Sequence, residues 1–153
     1  MKAIILKKLC DYPELCEKSA HWFSQKWGIP VEAYHESIQQ SIKQKNGIPQ
    51  WYIVLDGDEI IAGAGIIDND FHERKDLTPN LCALFVEEKY RNQMIAKYIL
   101  DFARKDVGSM GFENLYLITD HKEFYEKYNW KFLTTVNDDE GNTTRMYVAS
   151  TSF

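Results

Sequence analysis

The sequence predicts an α/β (α+β) sandwich built on a mixed sheet, and three observations predict it. Apolar residues alternate between short strand-length runs and longer runs at helical spacing. Two stretches rich in turn formers, Asp56-Gly57-Asp58 and Asp138-Asp139-Glu140-Gly141-Asn142, each separate a pair of strand-like runs. The order is strand, two helices, three strands, helix, strand, helix, two strands, which a layered mixed sheet accommodates.

The 153 residues suit one domain spanning 1–153, with no repeat, linker or low-complexity tract. The first strand is expected from the apolar run in Met1-Lys2-Ala3-Ile4-Ile5-Leu6-Lys7-Lys8, too short for a signal-peptide core. Asp11 and Glu14 form a capping-box pattern opening a helix. Leu15, Trp22, Phe23 and Trp27 share a face of that helix, and Gly28-Ile29-Pro30 stops it. Val31, Tyr34, Ile38 and Ile42 mark a second helix ending near Asn46-Gly47. Trp51–Leu55 and Ile60–Ile67 are the arms of a hairpin, residues 68–80 a polar loop, and Leu81–Val86 a fourth strand. Ile95, Ile99, Phe102, Ala103, Val107 and Met110 give a long helix from about Gln93 to Met110, ended by Gly111. Leu115–Ile118 is a buried strand, and Lys122–Tyr128 a brief helix closed by Asn129. Trp130–Val136 and Thr143–Val148 make the last hairpin.

Composition excludes several classes. Hydrophobic residues make up 44% and charged residues 27%, unlike a disordered chain. No apolar run approaches the roughly 20 residues of a membrane span, so no membrane partner is expected. A net charge of −5 argues against nucleic acid and mildly favours a cationic acceptor. Cys10, Cys16 and Cys82 match no metal or disulfide framework, so no metal is expected, and buried thiols in a reducing cytoplasm are the simplest reading.

The informative segment is Leu84-Phe85-Val86-Glu87-Glu88-Lys89-Tyr90-Arg91-Asn92-Gln93-Met94-Ile95-Ala96, a strand running through a turn into a long helix. Such a turn aims backbone N–H groups and the positive end of the helix dipole at one point, where a diphosphate fits. An ordinary strand-to-helix crossover has the same spacing.

Tyr90-Arg91-Asn92-Gln93-Met94-Ile95-Ala96 resembles the acetyl-CoA signature of the GNAT superfamily of N-acetyltransferases. That signature has Gln or Arg, two variable residues, Gly, one variable residue, then Gly or Ala. Arg91 and Ala96 match its ends, and Met94 stands at its first glycine. Phe124-Tyr125-Glu126-Lys127-Tyr128-Asn129-Trp130 resembles the family's later aromatic–Tyr–x–x–x–Gly–aromatic motif, with Asn129 in place of glycine. The motifs fall within residues 78–132, and the element order extends the resemblance along the chain.

The resemblance implies a mostly antiparallel sheet splayed between strands 4 and 5. It implies that backbone groups of Leu84, Phe85 and Val86 pair with the pantetheine arm of acetyl-CoA, with the Val86 amide polarising the thioester carbonyl. Amides of Arg91, Asn92, Gln93, Met94, Ile95 and Ala96 would hold the pyrophosphate. Tyr125 matches the tyrosine that protonates, or hydrogen-bonds, the departing thiolate. Many relatives carry a carboxylate base on the fourth strand, but the aligned residue here is Asn80. Asp70, His72, Glu73, Asp120, His121 or a water chain would replace it. Trp22, Trp27, Tyr34 and His35 fall where the family's acceptor pocket lies, although core packing also explains them. Asp138, Asp139 and Glu140 would attract a polyamine or amino sugar, or simply solvate the hairpin turn. The implied activity is acetyl transfer from acetyl-CoA to a small-molecule, peptide or protein amine through a ternary complex. A homodimer is compatible with it. The alternative is a non-catalytic acyl-CoA-binding regulatory module on the same fold, which the departures at Met94 and Asn80 keep open.

Overall fold

A computed structural model gives the fold and describes residues 4–153. The strands are β1 (Ile4–Lys8), β2 (Gln50–Asp56), β3 (Glu59–Ile67), β4 (Asn80–Val86), β5 (Asn114–Thr119), β6 (Lys131–Asn137) and β7 (Thr143–Ser150). The α-helices are α1 (Cys16–Trp27), α2 (Val31–Lys43) and α3 (Ile95–Ser109). The strands form a seven-stranded sheet in the order β1-β2-β3-β4-β5-β7-β6. β1–β2, β2–β3, β5–β7 and β6–β7 pair antiparallel, while β4 runs parallel to β5. The sheet is thus mixed and mostly antiparallel, as expected. Ladder pairing of β4 with β5 joins Asn80 to Tyr116. The Met1-Lys2-Ala3 portion of the expected first strand lies outside the described residues.

The chain divides into two compact units, Met1–Ile66 with Ala83–Ile99 and Ile67–Cys82 with Leu100–Phe153. In the first, α1 and α2 cover the β2–β3 hairpin through an aromatic cluster. The Phe23 ring stacks on Tyr34 at 5.4 Å and meets Trp51 edge-on at 5.0 Å. Glycine at position 63 makes this close packing possible, since a Cβ there would lie 2.8 Å from the Phe23 ring and 2.9 Å from the Tyr52 carbonyl oxygen. Gly28 ends α1 in the left-handed conformation, φ 72°, as its place in the sequence predicts. In the second unit, β5, β7 and β6 carry the buried Leu115, Leu117, Met146 and Tyr147. Buried Arg104 of α3 donates from Nε to the Ser150 carbonyl at 2.8 Å and lies 3.8 Å over the Phe153 ring.

Three expectations need correction. The Asp11–Glu14 capping box does not form: Pro13 opens a separate 3-10 turn, Pro13–Leu15, and α1 begins at Cys16 without a side-chain cap. Asp11 instead ends the preceding turn and faces Lys45 at 3.9 Å. The long helix starts at Ile95, because Asn92 and Met94 are left-handed at φ 65° and 64° and cannot be helical. The brief helix after β5 shrinks to a 3-10 turn, Tyr125–Tyr128, closed by left-handed Asn129 at φ 68°. No helix among the described residues is long and apolar enough to cross a membrane.

Candidate active site

The turn between β4 and α3 is built to leave donors unused. A 3-10 turn, Glu88–Tyr90, follows β4, and the Arg91 amide donates back to the Glu88 carbonyl at 3.2 Å. The next helical bond runs from the Tyr98 amide to the Met94 carbonyl at 3.1 Å. Between them, the amides of Asn92, Gln93, Met94, Ile95 and Ala96 have no acceptor among the described residues. Five consecutive N–H groups at the positive end of a 15-residue helix form a donor set suited to a diphosphate. The Arg91 amide is not among these donors. Its side chain folds back instead, donating from Nε to the Val86 carbonyl at 2.9 Å and covering Phe85 at 5.4 Å.

Met94 takes the conformation that explains a glycine in the signature. At φ 64° it occupies the left-handed region, where glycine is the usual residue, and it is 60% exposed. Tyr90 anchors the base of the turn through a short hydrogen bond from its hydroxyl to the Asp56 carboxylate at the end of β2.

Along β4, Asn80, Leu81 and Cys82 are buried, whereas Ala83, Leu84, Phe85 and Val86 are only half-buried. Ala83 is left-handed at φ 56°, a break in the strand's conformation where the burial changes. The Trp27 indole N–H donates to the Ala83 carbonyl at 3.2 Å, and the Phe85 ring sits edge-on to Trp22 and Trp27. Trp22 and Tyr34 are core residues, while His35 and Trp27 are exposed.

In the second unit, Tyr125 is 7% exposed, wedged against Phe124, Trp130 and Tyr147. Its hydroxyl makes no hydrogen bond among the described residues, and burial pushes its pKa up to about 12, so it stays protonated at neutral pH. Behind it, the Tyr147 hydroxyl donates to Glu126 Oε2 at 2.9 Å and accepts from Arg145.

The base candidates separate clearly. His72 is fully buried: its Nδ1 accepts from the Arg74 amide at 3.1 Å, which leaves Nε2–H to donate to Asn80 Oδ1. Asn80 Oδ1 also accepts from the Asp70 amide at 3.1 Å, and its Nδ2 donates to the Leu77 carbonyl at 2.8 Å. Glu73 is bound to the Asn137 side-chain amide at 3.1 Å. Asp120 and His121 are exposed. Asp70, half-buried, lines a cavity of about 410 Å³ with Thr119, Asp120, Asp138 and Thr144. Burial pushes its carboxyl up to about 6 despite the opposing pull of His72. Asp138 works chiefly as a turn residue, its Oδ1 accepting from the amides of Glu140 and Asn142.

Sequence reasoning singles out the β4–α3 turn and Tyr125, because both carry local motifs. It misses the Ala83 break and its Trp27 contact, since alanine gives no signal of a left-handed residue.

Residues 48–132, more than half of the chain, match the model of the acetyltransferase (GNAT) domain, and the protein belongs to that family. No curated protein matches the sequence. Among solved structures, the fold is similar to that of an aminoglycoside 6'-N-acetyltransferase complexed with coenzyme A, at 17% identity and TM-score 0.71, covering 96% of this chain and 97% of that one. It is also similar to a GNAT-family acetyltransferase from Streptococcus pneumoniae, at 10% identity and TM-score 0.72, covering 97% and 99%. The aminoglycoside 6'-N-acetyltransferase from Enterococcus faecium is 16% identical, with TM-score 0.71 over 96% and 97%.

Proposed function

We propose that residues 1–153 form one cytoplasmic N-acetyltransferase domain that moves the acetyl group of acetyl-CoA to a primary amine of a small molecule, peptide or protein. The observation that carries this reading is the run of unpaired amides from Asn92 to Ala96 in a chain of the acetyltransferase family. Those amides hold the pyrophosphate, and the half-buried edge of Leu84, Phe85 and Val86 pairs with the pantetheine arm. The co-substrate supplies the activated acetyl group.

Attack requires a neutral amine, although a lysine-like amine has a pKa of about 10.4. Asp70 takes the proton that the ammonium must lose; a half-buried carboxyl near pKa 6, ionised at neutral pH yet basic enough to accept it, supports the role. The acidic cavity around it draws the cationic acceptor. The amine nitrogen then bonds to the carbonyl carbon while the Val86 amide stabilises the oxygen, and the C–S bond breaks. Tyr125, protonated and with its hydroxyl unengaged, gives its proton to sulfur and recovers the one that the acylated nitrogen loses, so that a neutral amide and a free thiol leave.

Incubation of the protein with acetyl-CoA and a panel of amines, followed by free thiol and N-acetyl product, tests the reaction. Thiol and acetylated amine in equal amounts are expected. Tight acetyl-CoA binding without turnover on any amine would favour the regulatory module instead.

A further inference from the structure

We propose that Trp27 is a positioning residue for the acyl-donor arm, acting through the Ala83–Leu84 peptide; the inference rests on the acetyl-CoA reading above. Ala83 is a non-glycine residue in the left-handed region within a strand, a strained conformation that persists only where its surroundings fix it. Two features do so. The Trp27 indole holds the Ala83 carbonyl at 3.2 Å, and the Glu87 amide binds the Ile61 carbonyl at 2.8 Å just beyond the end of β4. A trans peptide is planar, with its C=O and the following N–H pointing in opposite directions. By fixing the Ala83 carbonyl on the α1 side, Trp27 therefore turns the Leu84 amide away from α1.

Leu84 follows Ala83 in the half-buried run of β4 and is the first residue of the segment read here as the pantetheine edge. The last turn of α1 thus acts on the donor arm through one hydrogen bond, without touching the diphosphate turn. Trp27 itself is 46% exposed, and its ring lies edge-on to Phe85.

Trp27→Phe keeps an aromatic ring against Phe85 and deletes the N–H. Calorimetric titration of wild type and variant with acetyl-CoA, and with its fragment adenosine 3'-phosphate 5'-diphosphate, separates the two parts of the site. A net hydrogen bond of ordinary strength predicts a loss of roughly 2- to 10-fold for acetyl-CoA and none for the fragment. Amide hydrogen exchange should quicken at residues 83–86 and nowhere else. Equal loss for both ligands, or no loss for either, overturns the positioning role. Trp27→Leu serves as a second variant, and failure of both to fold makes the role structural and overturns it too. If the wild-type protein binds neither ligand, the acetyl-CoA reading itself falls, a result distinct from any of these.

Discussion

Replacing Met94 by glycine should stabilise this protein. Met94 is left-handed at φ 64°, where a side chain costs about 1–2 kcal/mol. Glycine relieves that strain but adds unfolded-chain entropy worth roughly 0.5–1 kcal/mol. The Met94 side chain is 60% exposed, so little packing is lost with it. The balance is a gain of about 0.5–1 kcal/mol, which for a chain of this size raises the melting temperature by roughly 1–4 °C. Thermal and urea denaturation of both forms measure it, and an unchanged urea slope would show that the unfolded state is the same. Acetyl-CoA affinity should hold or rise, because the free amides keep their directions. A fall in stability would show that the methionine contributes contacts outweighing its strain, and would refute the reasoning.

Asp70 offers a linked pair of tests in stability and rate. Burial raises its folded pKa from 3.8 to about 6, so the fold favours the neutral carboxyl. Its stabilising share is complete below pH 3.8 and is lost as pH rises through 6. Asp70→Asn should therefore raise the melting temperature at pH 7–8, with the gain shrinking toward pH 4. If Asp70 is the base, kcat/KM on a good acceptor should rise with pH through about 6 in the wild type. The variant should lose that limb and about 10²–10⁴-fold in rate.

Much of the fold was legible because its signals are local. Gly28 and Asn129 mark left-handed ends, Asp56-Gly57-Asp58 marks a hairpin, and the apolar spacing of Ile95, Ile99, Ala103 and Val107 marks α3. The errors lie where backbone conformation departs from residue preference. Neither methionine nor alanine favours φ > 0 by itself, so apolar spacing starts the helix too early and gives no sign of the β4 break; at Met94 only the glycine of the resembled signature points to it. Asp11 and Glu14 look like a cap, but Pro13 between them closes a tighter turn. The burial that raises the Asp70 pKa was beyond sequence reading, because it depends on a loop anchored on Asn80.

Acetyl transfer by direct attack, with Tyr125 as the proton donor to sulfur, is tested most directly by steady-state kinetics of Tyr125→Phe beside the wild type. Phenylalanine keeps the ring packed against Phe124, Trp130 and Tyr147, and removes a hydroxyl that no described residue binds. Turnover should fall by about 10²–10⁴-fold while KM for acetyl-CoA moves little, since the lost interaction belongs to the transition state. Single-turnover measurements should show the same loss in the chemical step. An unchanged single-turnover rate in Tyr125→Phe would contradict the account.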